Sequence, residues 1–211
     1  NRRRLLSYPR DYHHFLWLLR AAAQQTGCAI HALCLMANHI HLVATPPSSG
    51  SLAAFVKSFA QRYSQYRNRL RRGSGKLFEE RYWSVPIRTE FHLAAATMYI
   101  DRNPVAAGVK SDPAEYRWSS YRLNSGIGKS ERSIAATLSP STWYASLGTS
   151  QVERTAEYVR IYSLYAETAL ARAQEQFFAK LERNVEHHRR LERPNRSSAR
   201  DRVSRYGPNR Q

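Results

Sequence analysis

The order of periodic segments along this chain predicts an α+β fold, an antiparallel sheet with helices packed on it. Three observations carry that expectation. Helical spacing recurs in three separate stretches, a clean period of two lies between the first and the second, and a proline-interrupted extended run separates the second from the third. Read in order, the elements run helix, strand, strand, helix, strand, helix. At 211 residues the chain can hold one domain with an ordinary core and an extension.

The first helix lies within residues 1–26, where Tyr12, Phe15, Leu16, Leu19, Ala22 and Ala23 share a face and Thr26-Gly27 offers a stop. His13 and His14 fall beside that stripe as surface residues. Residues 28–45 read as an antiparallel hairpin that reverses at Ala37-Asn38 and ends at Pro46-Pro47-Ser48-Ser49-Gly50. The second helix spans about Ser51 to Arg71, with Leu52, Phe55, Val56, Phe59, Tyr63, Tyr66 and Leu70 as its core stripe. Lys57, Arg62, Arg67 and Arg69 are expected on its outer face, continuing into Arg71, Arg72 and Lys76, past which Gly73-Ser74-Gly75 gives a flexible break. Residues 76–89 read as extended with a late edge strand, since Pro86 argues against a central one.

A third helix covers about Glu90 to Asn103. Phe91, Ala94, Ala95 and Met98 form its core stripe, and His92, Ala96, Tyr99 and Asn103 an adjacent one, which sets Tyr99 and Asn103 one turn apart. Pro104 disfavours helix at Asn103 and predicts an end there. Tyr116, Trp118 and Tyr121 are expected to pack back on the domain, and residues 127–138 to form a polar loop. Further helices follow from Pro140, one presenting Tyr158, Tyr162 and Tyr165, another Phe177, Leu181 and Val185. Beyond Glu186 an Arg-, Ser- and Pro-bearing tail reads as disordered and basic, and its His187-His188 pair as exposed.

Charge is the strongest bulk property: 33 Lys plus Arg against 16 Asp plus Glu, net +17. The excess is mostly arginine, whose planar fork suits phosphate, so a polyanionic partner is expected, most simply nucleic acid. Thirteen tyrosines and four tryptophans add stacking surfaces for unpaired bases, although most aromatics serve as core. No apolar run approaches the eighteen or so residues of a membrane span. Asn1-Arg2-Arg3-Arg4 leads into a periodic helix instead of a secretory leader. A soluble chain without membrane contact is therefore expected. Cys28 and Cys34 would lie roughly 20 Å apart along one strand, beyond disulfide reach, and read as small buried apolar residues of a reducing compartment. Without a CxxC pair, zinc-finger and zinc-deaminase chemistry falls away.

The most informative pattern is Leu35-Met-Ala-Asn-His-Ile-His-Leu-Val-Ala-Thr45. His39, His41, Val43 and Thr45 alternate with Ile40, Leu42 and Ala44, so both imidazoles leave one face of a strand, roughly 6–7 Å apart. Two neutral imidazoles so placed can chelate a divalent metal and leave positions open; two solvent-facing histidines would show the same spacing.

Together with Tyr99-Ile-Asp-Arg-Asn-Pro-Val-Ala-Ala-Gly108 and Trp118-Ser119-Ser120-Tyr121, this strand resembles the HUH single-tyrosine transposases, most closely their REP-associated branch. The motifs keep the family's order and approximate spacing from about residue 1 to residue 122. The resemblance implies a ferredoxin-like, split βαβ sheet. It also implies an apolar strand upstream of Asn1-Arg2-Arg3, which this sequence lacks, and it departs at Ala37, where the pattern commonly has Pro. The expected organisation is a catalytic domain like the family's over residues 1–126, followed, from the residue pattern, by a helical extension over 127–186 and a basic tail over 187–211.

For chemistry, the resemblance implies cleavage and transfer of single-stranded or hairpin DNA. Tyr99 would be the nucleophile that forms a 5′-phosphotyrosine, with His39, His41 and Asn103 holding Mg²⁺ or Mn²⁺. Tyr63, Tyr66 and Tyr82 are the local competitors of Tyr99. Lys57, Arg62, Arg67, Arg69, Arg71, Arg72 and Lys76 would track the DNA backbone. The setting would be cytoplasmic, on the nucleoid when bound to DNA, and a homodimer stays open. Two alternatives stay open as well: an inactive DNA-binding descendant of the fold, and a metal-dependent hydrolase using water.

Overall fold

A computed structural model describes residues 4–78 and 82–168. The expectations for Phe177, Leu181, Val185, His187-His188 and the basic tail lie outside the described residues. Helix α1 spans Pro9–Thr26 and stops at Gly27, whose φ of 70° is the left-handed conformation that glycine adopts without a Cβ clash. Strands β1 (Ala29–Leu35) and β2 (Ile40–Thr45) pair antiparallel with Cys34 opposite His41 and Leu35 opposite Ile40. The Met36 amide donates to the His39 carbonyl at 3.0 Å, so the turn reverses at Ala37-Asn38 as expected, and a bulge at His31 shifts the register near Ile30. The amides of Leu5 and Leu6 donate to the Ala37 carbonyl, and their buried side chains anchor the turn.

Helix α2 (Ser51–Leu70) lies on α1 through Phe15, which meets Phe59 and Tyr63 edge to face at centroid distances of 5.5 and 5.0 Å. Its buried stripe is Phe55, Phe59, Tyr63 and Arg67, each four residues from the last. Leu70, expected inside, is exposed. Arg67, expected outside, is only 5% exposed. Its Nη1 meets Asp11 Oδ2 at 2.5 Å. A single i+4 step carries the apolar stripe onto a charge because Asp11 stands at the matching end of α1's stripe, four residues before Phe15. Burial pushes the Asp11 carboxyl up, but the donating amides of Ser7 and Tyr8 and the Arg67 guanidinium outweigh it and hold it below the usual carboxylate range.

The late edge strand expected within 76–89 does not form among the described residues: 82–88 have no regular structure and lie exposed. Pro86 has no amide to donate, and the second edge of β1 is taken elsewhere. The Leu35 amide donates to the Trp118 carbonyl and the Ser120 amide to the Leu33 carbonyl, so residues 118–120 flank β1 on the side away from β2. The Tyr116 hydroxyl adds a 2.7 Å bond to the Leu35 carbonyl. Tyr116, Trp118 and Tyr121 are buried as expected.

Helix α3 runs from Glu90 to Ala106, through Pro104 rather than ending before it. Proline removes one donor from the ladder, and the turn reforms behind it: the Ala107 amide reaches the Asn103 carbonyl, and Gly108, at φ 66°, closes the end. Asn103 and Pro104 are both buried, so tertiary packing overrides the local preference. From Thr97 to Asp101 five successive residues are buried, because α3 contacts the hairpin on one side and later helices on the other. Phe91, expected in its core, is 63% exposed.

Short helices α4 (Tyr121–Ser125), α5 (Arg132–Ala135) and α6 (Thr142–Ser146) precede α7 (Gln151–Glu167). The expected loop over 127–138 thus contains a helical turn, fixed by the fully buried Ile134. Tyr158, Tyr162 and Tyr165 lie on one side of α7, as expected, and join Met98, Tyr121 and Trp143 in a second core. The fold is therefore α+β, with a two-stranded antiparallel sheet among the described residues and helices packed on it. Among those residues no helix is long and apolar enough to cross a membrane, and both cysteines are free and buried.

Candidate active site

The hairpin and α3 bring His39, His41 and Tyr99 together. The two imidazoles meet at 4.7 Å between ring centroids, at right angles, and the Tyr99 ring meets His41 at 5.7 Å, again at right angles. Three causes produce this. The period of two puts both histidines on one face of the strand, the tight turn holds His39 at its start, and the packing of α3 on β1 and β2 turns the Tyr99 side of the helix toward that face. Asn103, one turn further on, is buried on the same helix.

The electrostatics suit ligand histidines. Asn38 Oδ1 lies 2.8 Å from His39 Nδ1. An amide oxygen only accepts, so with Asn38 in this orientation Nδ1 carries a proton, which in the neutral ring assigns the lone pair to Nε2. Sequence reasoning passed over Asn38 in this role, although its place just before the first histidine was the signal. Burial, helped by the neighbouring His39, pushes the pKa of His41 down to about 3, so its imidazole is neutral at physiological pH and able to donate a lone pair. Among the described residues no group of three or more His, Cys, Asp and Glu side chains could hold a metal. Two neutral imidazoles on one strand face are by themselves a donor set of the kind a divalent ion accepts.

Two of the three competing tyrosines are engaged elsewhere. Tyr63 is buried, with its hydroxyl donating to the Leu5 carbonyl at 2.9 Å, and Tyr66 stacks on His14. Tyr82 lies exposed in the irregular segment. Lys57, Arg62, Arg69, Arg71, Arg72 and Lys76 are exposed, whereas the buried Arg67 cannot present its charge to a backbone track.

The residue that sequence reading missed is Asp101, two positions after Tyr99. It is fully buried. Ser120 donates to its Oδ1, while Asn124 Nδ2 at 2.9 Å and the Tyr158 hydroxyl at 2.6 Å donate to Oδ2. Burial pushes its pKa up to about 6 against the pull of those three donors. One carboxylate thus ties the helix carrying Tyr99 to the Trp-Ser-Ser-Tyr segment, to α4 and to α7. An acidic residue beside two site positions, with a Ser-Ser pair downstream, was its only signal in the sequence.

Comparison with curated proteins and with solved structures finds no match. Residues 1–103, the stretch that holds both histidines, Tyr99 and Asn103, match the family model described as "Transposase IS200 like", and over that stretch the chain is similar to the IS200-like transposases.

Proposed function

We propose that this protein is a transposase-type endonuclease and strand transferase for single-stranded or hairpin DNA, of the REP-associated kind, with Tyr99 as its nucleophile. The observation that carries the reading is the convergence of His39, His41 and Tyr99, from two elements distant in sequence, within a stretch that matches a transposase family. In the proposed step the Tyr99 phenolic oxygen forms a bond to phosphorus as the bond from phosphorus to the 3′-oxygen breaks. The phenol gives up its proton and the leaving 3′-oxygen takes one up, leaving a 5′-phosphotyrosine and a free 3′-hydroxyl. The linkage keeps phosphodiester energy, so a second hydroxyl reverses it and joins strands without ATP.

His39 and His41, with Asn103 as third ligand, would hold Mg²⁺ or Mn²⁺. Such an ion, when bound, polarises the scissile phosphate and offsets the charge that develops there. Asn38 orients His39 for this, burial keeps His41 neutral, and the packing of α3 positions the phenol. The exposed cations from Lys57 to Lys76 would bind the backbone phosphates, Arg67 excepted. The setting is the cytoplasm, on the nucleoid.

The test is a denaturing gel that detects a protein–DNA adduct on single-stranded hairpin oligonucleotides with Mg²⁺ or Mn²⁺. Wild-type protein should form an adduct that chelator and Tyr99→Phe both abolish. Metal-dependent cleavage without an adduct would establish a hydrolase using water, and binding without cleavage a DNA-binding protein that has lost the activity.

A further inference from the structure

We propose that the outer seam between α1 and α2 is a second DNA surface, on which unpaired bases stack against Trp17 while arginines on both sides hold the phosphates. The proposal rests on DNA as substrate and assigns a binding role to residues outside the Tyr99 site. Trp17 is 58% exposed, a large apolar ring left in solvent on a helix whose opposite face is fully buried. It does not stand alone. His14 stacks on Tyr66 at 3.9 Å and 28°, and faces Trp17 at 5.6 Å and 30°. Three rings from two helices therefore form one near-parallel array that ends in an open indole. Burial lowers the pKa of His14, which favours the neutral imidazole and makes it a stacking member of the array.

Cations frame the array. Arg62 lies 6.0 Å from the Trp17 ring, and Arg10 lies 5.2 Å from the ring of Tyr8, itself 60% exposed. Arg10 also stands one turn before His14 on α1, on the same side of the helix. Arg20 and Arg69 are exposed one turn beyond Trp17 and about one turn beyond Tyr66, respectively. Within the two helices no exposed acid opposes them: Asp11 is the sole carboxylate in either, and it is buried against Arg67.

A patch of exposed arginines without a carboxylate selects a polyanion. The exposed ring selects which one. Bases of a duplex are already stacked on each other, whereas an unpaired base gains roughly 1–3 kcal/mol from an aromatic platform of any sequence preference. Single-stranded DNA is therefore the occupant.

The experiment uses the full chain carrying Tyr99→Phe, so that cleavage does not consume the probe, and a fluorescein-labelled oligothymidylate of about 16 nucleotides. Adding Trp17→Ala should weaken binding roughly 5- to 150-fold and leave the slope of log affinity against log salt unchanged. Adding Arg62→Ala should instead make that slope shallower by about 0.7. Because Trp17 is exposed, Trp17→Ala should not alter the melting temperature. Affinity within two-fold of the parent after Trp17→Ala overturns the proposal, as does an equal loss on a duplex, which would mark a phosphate-only surface. Failure of a Tyr99-intact protein to form an adduct, with the Trp17 effect retained, would remove the catalytic reading and leave this surface standing. Adduct formation with no Trp17 effect would do the reverse.

Discussion

Tyr158→Phe is the sharpest probe of how the late helices support the site. It keeps a fully buried ring in place and removes one hydroxyl, the 2.6 Å donor to Asp101 Oδ2. A hydrogen bond to a charged group contributes about 1.5–3 kcal/mol, one between neutral groups about 0.5–1.5. Which figure applies depends on pH, because the folded state raises the Asp101 pKa from 3.8 to about 6. The sign follows from linkage. A carboxyl whose folded pKa is raised contributes most below its unfolded value of 3.8 and loses that contribution as pH rises through about 6, a fall on the order of 3 kcal/mol for two units. Removing a donor to the charged form raises the folded pKa further, so Tyr158→Phe should cost more where the carboxylate is ionised. Urea unfolding followed by tryptophan fluorescence should show a loss of about 1.5–3 kcal/mol at pH 8 and roughly 1 kcal/mol at pH 5. An equal loss at both pH values would refute the claim that the phenol serves an ionised Asp101. A loss under about 0.5 kcal/mol at pH 8 would remove the hub altogether.

Arg67→Met should destabilise the protein by about 3–5 kcal/mol, since it leaves Asp11 ionised and buried, while Asp11→Leu with Arg67→Met should recover only part of that loss, because the Ser7 and Tyr8 amides lose their acceptor with the carboxylate; chemical denaturation of the two single and the double variant checks it. Tyr99→Phe should abolish the adduct on a denaturing gel yet keep affinity for single-stranded DNA, and an adduct that persists would assign the nucleophile to another tyrosine. His39→Ala and His41→Ala should each abolish cleavage and spare binding, which filter-binding and cleavage assays separate. The folded pKa of His41 lies near 3, below the ordinary 6.5, so its contribution to stability is full above pH 6.5 and is lost as pH falls from there toward 3. His41→Leu should therefore lose less stability than the parent between pH 7 and 4, and parallel losses would contradict the burial of that imidazole.

The hairpin was legible in the sequence because a period of two and a tight turn are local properties. Alternation sets which side chains share a face, and Ala37-Asn38 sets the register that puts His41 opposite Cys34. The helical stripes of α1 and α2 were legible for the same reason, and even Arg67 lay on the i+4 line through Tyr63. Reading it as an outer-face cation failed because its partner, Asp11, is 56 residues away in sequence, and no local pattern announces an ion pair between two helices. Pro104 misled in a related way: the dipeptide preference is local, but the burial of Asn103 and Pro104 is not.

What the sequence by itself determined, then, is the set of elements and the residue types that each presents: two histidines on one strand face, a tyrosine and an asparagine one turn apart, and a cationic surface without matching acids. What only the tertiary structure decided is which of these meet. The approach of the Tyr99 ring to His41 depends on α3 packing on the hairpin. The Asp101 hub draws donors from positions 120, 124 and 158, and the array of His14, Trp17 and Tyr66 needs α1 laid on α2. Contacts of that kind arise when separate apolar faces are buried against each other, and the energy that selects them belongs to the assembled core rather than to any one segment.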